Sequence, residues 1–179
     1  MSKSTCEHRR QASEGESSRR VACAVLTVSD TRTPETDKGG DLVARLLEEA
    51  GHEVVERAIV PDESARIGAW IDERLANPGV RAILTTGGTG IAKRDTTIDV
   101  VRARLATELE GFGELFRMLS WEEVGAAAML SRAVAGLATH DTGGDTFIFA
   151  MPGSVNAVET AMTKLIAPEI GHLVWERVR

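Results

Sequence analysis

The chain between residues 21 and 105 alternates short apolar runs with amphipathic stretches. The run at 21–29 is nearly unbroken, as is typical of a strand covered on both faces of a parallel sheet, and two further strands are predicted at 53–60 and 80–86. The stretches after them carry apolar residues at helical spacing, at 40–50, 67–75 and 98–105. Thr96 and Asp99 predict a capping box at the start of the third helix. This order predicts a parallel sheet with helices on both faces.

The pattern changes after residue 107. Two helical stretches are followed by two strands, at 110–120, 121–130, 133–138 and 146–151. Residues 139–145 are rich in turn formers, so we expect the two strands to form an antiparallel hairpin. A helix over 155–166 follows, which Pro168 is expected to interrupt before a last helical segment at 169–178. The predicted fold is a three-layer αβα sandwich with a mainly parallel mixed sheet and a C-terminal hairpin.

Composition narrows the class of protein. The chain has 179 residues, of which 42% are hydrophobic and 27% charged, as expected for a soluble globular protein. Its formal net charge of −6 argues against a nucleic-acid or anionic-membrane partner, so an anionic ligand has to be held by local groups in a small-molecule pocket. No apolar stretch approaches the ~20 residues of a membrane span. The N-terminus also lacks the apolar core of a signal peptide, and we therefore expect a cytoplasmic protein.

The ends of the chain differ in character. Residues 1–20 are rich in Ser, Glu, Arg and Lys and offer almost nothing to bury, which predicts a disordered tail. Residues 21–179 are expected to form a single α/β domain. The two cysteines and four histidines show neither a disulfide framework nor metal-ligand spacing.

The strongest chemical signal follows the third predicted strand. Glycines, hydroxyls, cations and a carboxylate fall within ten residues: Thr86, Gly87, Gly88, Thr89, Gly90, Lys93, Arg94 and Asp95. Glycine lets backbone N–H groups approach an anion, cations add charge-assisted hydrogen bonds, and a carboxylate can hold a metal on the same phosphate. The spacing matches neither a Walker A motif nor a dinucleotide fingerprint, because Ala92 and Lys93 stand where those motifs need glycine. We predict a phosphate site, with an ordinary strand-to-helix turn as the alternative.

Further polar residues follow the other predicted strands. Ser29 and Asp30 come after the first strand, Asp62 after the second, and Gly153 and Ser154 after the last. In open α/β sheets, ligands bind at the carboxyl ends of the strands. These residues are therefore expected to share one rim with residues 86–95, called here the glycine loop.

Several of these residues have two readings. Asp62 suits either catalysis or the N-cap of the following helix, where aspartate is favoured. Asp95 suits metal binding and catalysis, or else a salt bridge with Arg94 or a helix cap. Ser154 is expected to cap its helix and also lies at an anion-binding position. Arg132 is either a phosphate clamp or part of a surface ion pair.

Taken in order, the motifs resemble one family. They are Thr-Val-Ser-Asp (27–30), Pro-Asp-Glu (61–63), Thr-Gly-Gly-Thr-Gly (86–90), Lys-Arg-Asp (93–95), Gly-Phe-Gly-Glu-Leu-Phe-Arg (111–117), Ser-Arg-Ala-Val-Ala-Gly (131–136) and Met-Pro-Gly-Ser (151–154). This series resembles the MoaB/MogA family of molybdenum-cofactor biosynthesis proteins from about residue 21 to the C-terminus. Gly-Phe-Gly-Glu and the Ile-Ala-Pro-Glu ending are closer to the MoaB branch.

The resemblance implies a molybdopterin-binding domain that acts as an adenylyltransferase. The terminal phosphate of molybdopterin would attack the α-phosphate of ATP with Mg²⁺ present, giving adenylylated molybdopterin and pyrophosphate. The family's two key aspartates correspond to Asp62 and Asp95, which we expect to bind the Mg²⁺. Its substrate-holding rim corresponds to Ser131 and to Pro152, Gly153 and Ser154. Family members are trimers or hexamers, so a homotrimer or homohexamer is implied.

Two rival functions remain open. One is a catalytically silent homologue that binds molybdopterin or serves as a scaffold, although retention of Asp62 and Asp95 favours an enzyme. The other is an unrelated doubly wound nucleotide-binding domain, against which the missing third glycine argues. The 139–145 loop is longer than the turn usual in the family.

Overall fold

The computed structural model describes residues 20–139 and 145–178. Strands and helices alternate through the first half of the chain: β1 (Ala22–Val28), α1 (Lys38–Glu49), β2 (Glu53–Val60), α2 (Ser64–Leu75), β3 (Ala82–Thr86) and α3 (Thr97–Arg102). The second half contains β4 (Thr107–Glu108), α4 (Glu110–Val124), a 3₁₀ turn (Gly125–Leu130), β5 (Val134–Thr139), β6 (Asp145–Met151), α5 (Val155–Ala161), a π turn (Met162–Ile166) and α6 (Ala167–Val178).

The strands form one mixed sheet in the order β2-β1-β3-β6-β5-β4. β1 pairs in parallel with β2 and β3, and β3 pairs in parallel with β6. β5 runs antiparallel to β6 and to β4. The predicted mixed, mainly parallel sheet with a C-terminal hairpin is therefore confirmed. Most of the predicted 139–145 loop lies outside the described residues.

Helices cover both faces of the sheet. One apolar core lies under α1, α4 and the α5–α6 helix, and includes Leu47, Phe116 and Met162. The other lies under α2 and α3, and includes Ile67 and Ile98. Cover on both faces explains the nearly unbroken apolar sequence of β1, whereas the edge strand β2 is only partly buried and carries charged residues. None of the described helices is both long and apolar enough to span a membrane.

The short edge strand β4 was not predicted. Its two residues are exposed, so neither shows the alternation by which a strand is recognised. Thr107 and Glu108 lie opposite Leu137 and Gly136. A Cβ on Gly136 would stand 2.4 Å from the Thr107 carbonyl oxygen. The pairing therefore depends on a glycine in the neighbouring strand.

Three helix ends differ from the predictions. The capping box is wrong, because the Thr96 side chain makes no cap hydrogen bond. The α-helical part of 121–130 stops at Val124, where Gly125 adopts a left-handed φ of 56°, and a 3₁₀ turn follows. Pro168 was expected to interrupt the helix, but it lies in the first turn of α6, which follows the π turn without a break. Because proline has no N–H to donate to the carbonyl one turn back, the helix instead widens into the preceding π turn.

The register brings five chain segments to one edge of the sheet. Val28 pairs with Val60, and Thr86 pairs with Met151, so β1, β2, β3 and β6 all end there. The antiparallel β5 begins at the same edge, since Val134 lies opposite Ala150. The residues after four strands and before a fifth are thereby gathered on one rim.

A buried histidine ties α6 to the start of the sheet. His52 is 9% exposed, and its Nδ1 accepts a hydrogen bond from the Val21 amide at 3.3 Å. Burial lowers the pKa of His52 from its usual 6.5, while a hydrogen bond with the Ala167 backbone partly opposes that change. The folded protein therefore favours the neutral imidazole more strongly than the unfolded chain does.

We expect His52 to make the protein sensitive to mild acid. Because the folded-state pKa is lowered, the contribution of the neutral ring is complete above pH 6.5 and is lost as the pH falls below that value. Thermal unfolding at pH 8.0 and pH 5.5 should show a smaller loss of Tm in His52→Gln than in the native protein. Equal losses in the two proteins would contradict this assignment.

Candidate functional site

The turn after β3 brings backbone against backbone. Gly87 and Gly88 adopt left-handed φ angles of 93° and 61°. The Gly87 amide donates to the Met151 carbonyl at 3.1 Å, and a Cβ on Gly87 would stand 2.3 Å from the Val28 carbonyl oxygen. Only glycine fits this approach with this φ. The turn is therefore held at the ends of β1 and β6.

Asp62 and Asp95 both lie against this glycine turn. A Cβ on Gly88 would stand 2.9 Å from Asp62 Oδ2, and a Cβ on Gly90 would stand 2.5 Å from Asp95 Oδ2. Asp62 arrives from the end of β2, whereas Asp95 belongs to the segment that leads into α3. The structure thus brings together the two carboxylates that the sequence singled out.

The surroundings of Asp62 disfavour its ionised form. Burial raises its pKa, and the negative charges of Asp95 and Asp30 raise it further, whereas the Thr96 amide and Arg94 oppose the rise. Its buried Oδ1 makes no hydrogen bond within the described part of the chain. The alternative reading as a helix cap is wrong, because Glu63 occupies the N-cap position of α2. Such a carboxylate is suited to binding a cation.

Asp95 fits neither of its structural alternatives. Its Oδ2 accepts a hydrogen bond from the Ala92 amide at 2.7 Å, which closes the loop on itself. Arg94 pairs with Asp30 instead, at 3.3 Å, and Thr96 occupies the N-cap position of α3. The carboxylate therefore shapes the glycine loop and leaves one oxygen for other contacts.

Ser29 and Asp30 brace the same rim. Asp30 Oδ1 accepts from the Asp62 amide at 3.0 Å, while Oδ2 contacts Arg94. Ser29 Oγ accepts from the amides of Thr31 and Arg32, at 3.2 and 3.1 Å. Asp30 consequently links the ends of β1 and β2 to the glycine loop.

The two cations of the loop are exposed to solvent, whereas its two threonines are buried. Lys93 is exposed, and the Arg94 side chain is 73% exposed, so both can reach a ligand above the turn. Thr86 and Thr89 are buried, and the Thr86 hydroxyl donates to the Pro152 carbonyl at 3.3 Å. The described geometry leaves anion contacts mainly to the backbone amides and the cations.

Arg132 contacts the loop from the start of β5. Its Nε donates to the Thr89 carbonyl at 2.9 Å, and its Nη2 donates to the carbonyls of Gly90 and Asp95, the latter at 2.9 Å. Of the two alternatives for Arg132, the surface ion pair is therefore wrong, since within the described residues this guanidinium is bound to carbonyl groups. The neighbouring Ser131 is half-buried and ends the 3₁₀ turn.

The Pro152–Gly153–Ser154 segment packs on the other side of the turn. A Cβ on Gly153 would stand 3.1 Å from Gly87 Cα. Ser154 occupies the N-cap of α5 and accepts from the Ala157 amide at 3.3 Å, which confirms its predicted cap. The segment is exposed at Gly153 and Ser154 and forms part of the rim.

Asp37 belongs to the candidate site but was not predicted from the sequence. Asp37 is only 4% exposed, and its carboxylate accepts from Thr27 Oγ1 at 2.7 Å and from the Gly40 amide at 3.0 Å. Arg57 lies 3.6 Å away. The run Asp-Lys-Gly-Gly before an amphipathic stretch is a recognisable N-cap signal, although nothing local indicates the partner on β2.

A cavity of about 840 Å³ opens beside these residues. Its wall includes the apolar end of β2, and its charged residues are Asp30, Arg32, Asp37 and Arg57. A smaller cavity of about 100 Å³, lined by Gly87 and Gly153, shares Ser29 and Arg32 with the larger one. The larger volume is in the range of small-molecule sites.

The described residues contain no group of three or more His, Cys, Asp or Glu side chains arranged to hold a metal ion. Mg²⁺ commonly binds proteins through one or two carboxylates, with water and substrate phosphates completing its shell. Asp62 and Asp95 would supply the two carboxylates of such a site.

Known proteins share this arrangement of elements. A family model described as a probable molybdopterin binding domain matches residues 24–172. Molybdenum cofactor biosynthesis protein B of Halalkalibacterium halodurans is 48% identical over 171 residues, which cover 95% of each chain. The chain belongs to the MoaB/MogA family of molybdenum-cofactor biosynthesis proteins.

Two further similarities support membership of the MoaB/MogA family. The protein of the same name from Staphylococcus carnosus is 55% identical over 161 residues, covering 88% of this chain and 91% of the relative. A crystal structure of a molybdenum cofactor biosynthesis protein B superposes with a TM-score of 0.83 at 48% identity, over 88% of this chain and 96% of that one. The family resemblance read from the motifs is therefore confirmed.

A side chain at Gly87 should damage the turn. We expect Gly87→Ala to lower the free energy of unfolding by roughly 1–3 kcal/mol from backbone strain alone, since the methyl group also collides with Val28. Gly111→Ala is the matched control, because nothing lies within 4 Å of its Cβ position. That variant should gain roughly 0.4–1 kcal/mol. Urea denaturation measures both, and an equally stable Gly87→Ala would contradict the close approach.

Proposed function

We propose that this chain serves molybdenum cofactor biosynthesis by transferring AMP from ATP to molybdopterin. An oxygen of the molybdopterin terminal phosphate forms a bond to the α-phosphorus of ATP. The bond from that phosphorus to the oxygen of the β-phosphate breaks, and pyrophosphate leaves. The single observation that carries the proposal is that Asp62 and Asp95 flank one glycine turn at the carboxyl edge of the sheet.

The loop would neutralise and align the phosphates. Two anionic groups have to approach each other, so positioning and charge stabilisation account for most of the catalysis in such a transfer. The amides of the Gly88–Gly90 segment supply donors, and the exposed cations of Lys93 and Arg94 supply charge. Arg94 would exchange part of its contact with Asp30 for a contact with the substrate.

The residues present fit a Mg²⁺ ion. Asp62 has a buried oxygen without a hydrogen bond, and Asp95 uses only one oxygen within its own loop. Asp62 and Asp95 would hold the ion, and a bound Mg²⁺ supplies positive charge to the phosphate oxygens. Asp30 contributes by binding the Asp62 amide, which fixes the position of the Asp62 carboxylate.

The remaining rim would hold the organic parts of the substrates. The 840 Å³ cavity meets the glycine turn through Ser29 and Asp30, and its apolar wall suits one bicyclic ring system. Ser131 and the Pro152–Ser154 segment border the turn from the opposite side. We expect the reaction to take place in the cytoplasm.

We also propose that the chain forms a homotrimer or homohexamer. Exposed apolar side chains follow α4 and the 3₁₀ turn after it: Leu115, Met118, Trp121, Val124, Met129 and Leu130. Trp121 is 60% exposed and Met129 is 78% exposed. Exposed apolar side chains grouped along one stretch of chain often mark a protein–protein contact, which supports a second copy of the chain as their partner.

The activity is tested with purified protein, molybdopterin, ATP and Mg²⁺, following pyrophosphate release. Asp95→Asn keeps an acceptor for the Ala92 amide but removes the charge, so its rate should fall by roughly 10²–10³. Asp99→Asn is the control, because Asp99 is an exposed acid in the first turn of α3. Its rate should remain unchanged.

Thermal unfolding of the same variants separates chemistry from folding. Asp95→Asn should retain the native Tm within a few degrees. Absence of pyrophosphate release by the native protein would instead favour the catalytically silent homologue. An equal loss of rate in the Asp99 control would remove Asp95 from the mechanism.

The oligomer is tested by sedimentation velocity. Trp121→Glu places a charge in the exposed apolar surface of α4 and should shift the protein towards monomer. Val55→Glu is the control, since Val55 is 45% exposed on β2, away from that surface. A monomeric native protein, or dissociation in both variants, would contradict the proposed interface.

A further inference from the structure

Arg132 links the start of β5 to the glycine loop by hydrogen bonds. It lies two residues before the strand, and its half-buried guanidinium reaches the carbonyls of Thr89, Gly90 and Asp95. These carbonyls flank the exposed tip of the loop on both sides. One side chain from a distant part of the chain therefore fixes both ends of that tip.

Because the peptide bond is planar, these contacts to carbonyl groups also fix the direction of the neighbouring backbone N–H groups. In a trans peptide the C=O and the following N–H point in opposite directions. The carbonyls of Thr89 and Gly90 face Arg132, so the amides of Gly90 and Ile91 face away from it. Neither amide donates to any other described residue. By the same argument the Thr96 amide points away from Arg132, and it does interact with the Asp62 carboxyl.

The other restraints on the loop tip are local or weak. Apart from the bond of Arg132 to the Asp95 carbonyl, the hydrogen bonds of Ala92 and Asp95 join only these two residues, which lie three apart in the chain. Arg94 and Asp30 form an exposed pair, and such pairs hold a backbone poorly. Residues 90–94 are exposed. Within the described residues, Arg132 is thus the side chain from outside the segment that bonds to the backbone on both sides of the tip.

We propose that Arg132 is a positioning residue: it sets the peptide planes that aim the Gly90 and Ile91 amides at substrate phosphate and does not contact the phosphate itself. The identity of the anion rests on the proposed function, whereas the orientation of the amides does not. The guanidinium also places a positive charge behind the loop, which increases the attraction of these amides for an anion.

The fork of the guanidinium is required for this role. Arginine presents several donors in a fixed plane, whereas lysine presents a single charged centre on a flexible stem. Arg132→Lys keeps the charge but cannot hold three carbonyls in the same arrangement. A charge-only role would be preserved in that variant, and a positioning role would be lost.

The test combines backbone dynamics with anion binding. Amide ¹⁵N order parameters of Gly90 and Ile91 should fall from about 0.85 in the native protein to below about 0.6 in Arg132→Ala and Arg132→Lys. Affinity for pyrophosphate, measured by calorimetry with Mg²⁺, should fall about tenfold in both variants. A low, non-denaturing concentration of guanidinium should restore part of the affinity of Arg132→Ala.

Arg104→Ala is the matched control. Arg104 is likewise partly buried and donates to the Val100 carbonyl, but its other partner is Asp72 on α2, away from the loop. Its loss should lower Tm without changing the order parameters of Gly90 and Ile91 or the affinity for pyrophosphate.

The outcomes separate the two proposals. If pyrophosphate affinity falls in Arg132→Ala while the order parameters stay at the native values, Arg132 binds the anion directly and the inference is overturned. Unchanged affinity and unchanged order overturn it as well. If the native protein does not bind pyrophosphate at all, the proposed function fails, and the order parameters still decide whether Arg132 positions the loop.

Discussion

The Val28 carbonyl lies so close to Gly87 that no Cβ fits between the end of β1 and the turn after β3. This contact requires a left-handed backbone, which only glycine adopts without strain. The turn is held from the other side by Met151, whose carbonyl accepts the Gly87 amide. Strands β1, β3 and β6 are thereby locked together at the edge where the candidate site lies.

The acidic groups at this edge depend on the same contact. Asp62 approaches the turn because Gly88 has no side chain, and Asp95 approaches it because Gly90 has none. Burial, and then the nearby negative charges of Asp95 and Asp30, raise the pKa of Asp62, so keeping this carboxylate ionised costs stability. A bound cation or charged substrate would offset this repulsion, which is consistent with the proposed site for phosphates and Mg²⁺.

Periodicity predicted most of the fold, because every long element buries a face. The bounds of β2 match the predicted strand residue for residue, and both strands of the hairpin were found. Features that bury little were missed or misread. β4 has two exposed residues, and the predicted cap at Thr96 failed because its hydroxyl makes no hydrogen bond.

The candidate site was likewise predicted only in part from the sequence. The rule that ligands bind at the carboxyl ends of strands correctly predicts that Asp30, Asp62 and the glycine loop share one rim. Local sequence alone left Asp62 as either a cap or a site residue, and only its three-dimensional neighbours decided between them. The partnerships of Asp37 with Arg57, and of Arg132 with the loop, join residues far apart in sequence, so no local pattern reveals them.

The central claim is that the amides of this glycine turn hold phosphate between Asp62 and Asp95. A crystal structure with a non-hydrolysable ATP analogue and Mg²⁺ tests it most directly. The account predicts phosphate oxygens within hydrogen-bonding distance of the amides in the 88–91 segment, with the metal bound by Asp62, Asp95 or both. Phosphates bound elsewhere on the surface, with both carboxylates remote from the metal, would contradict it.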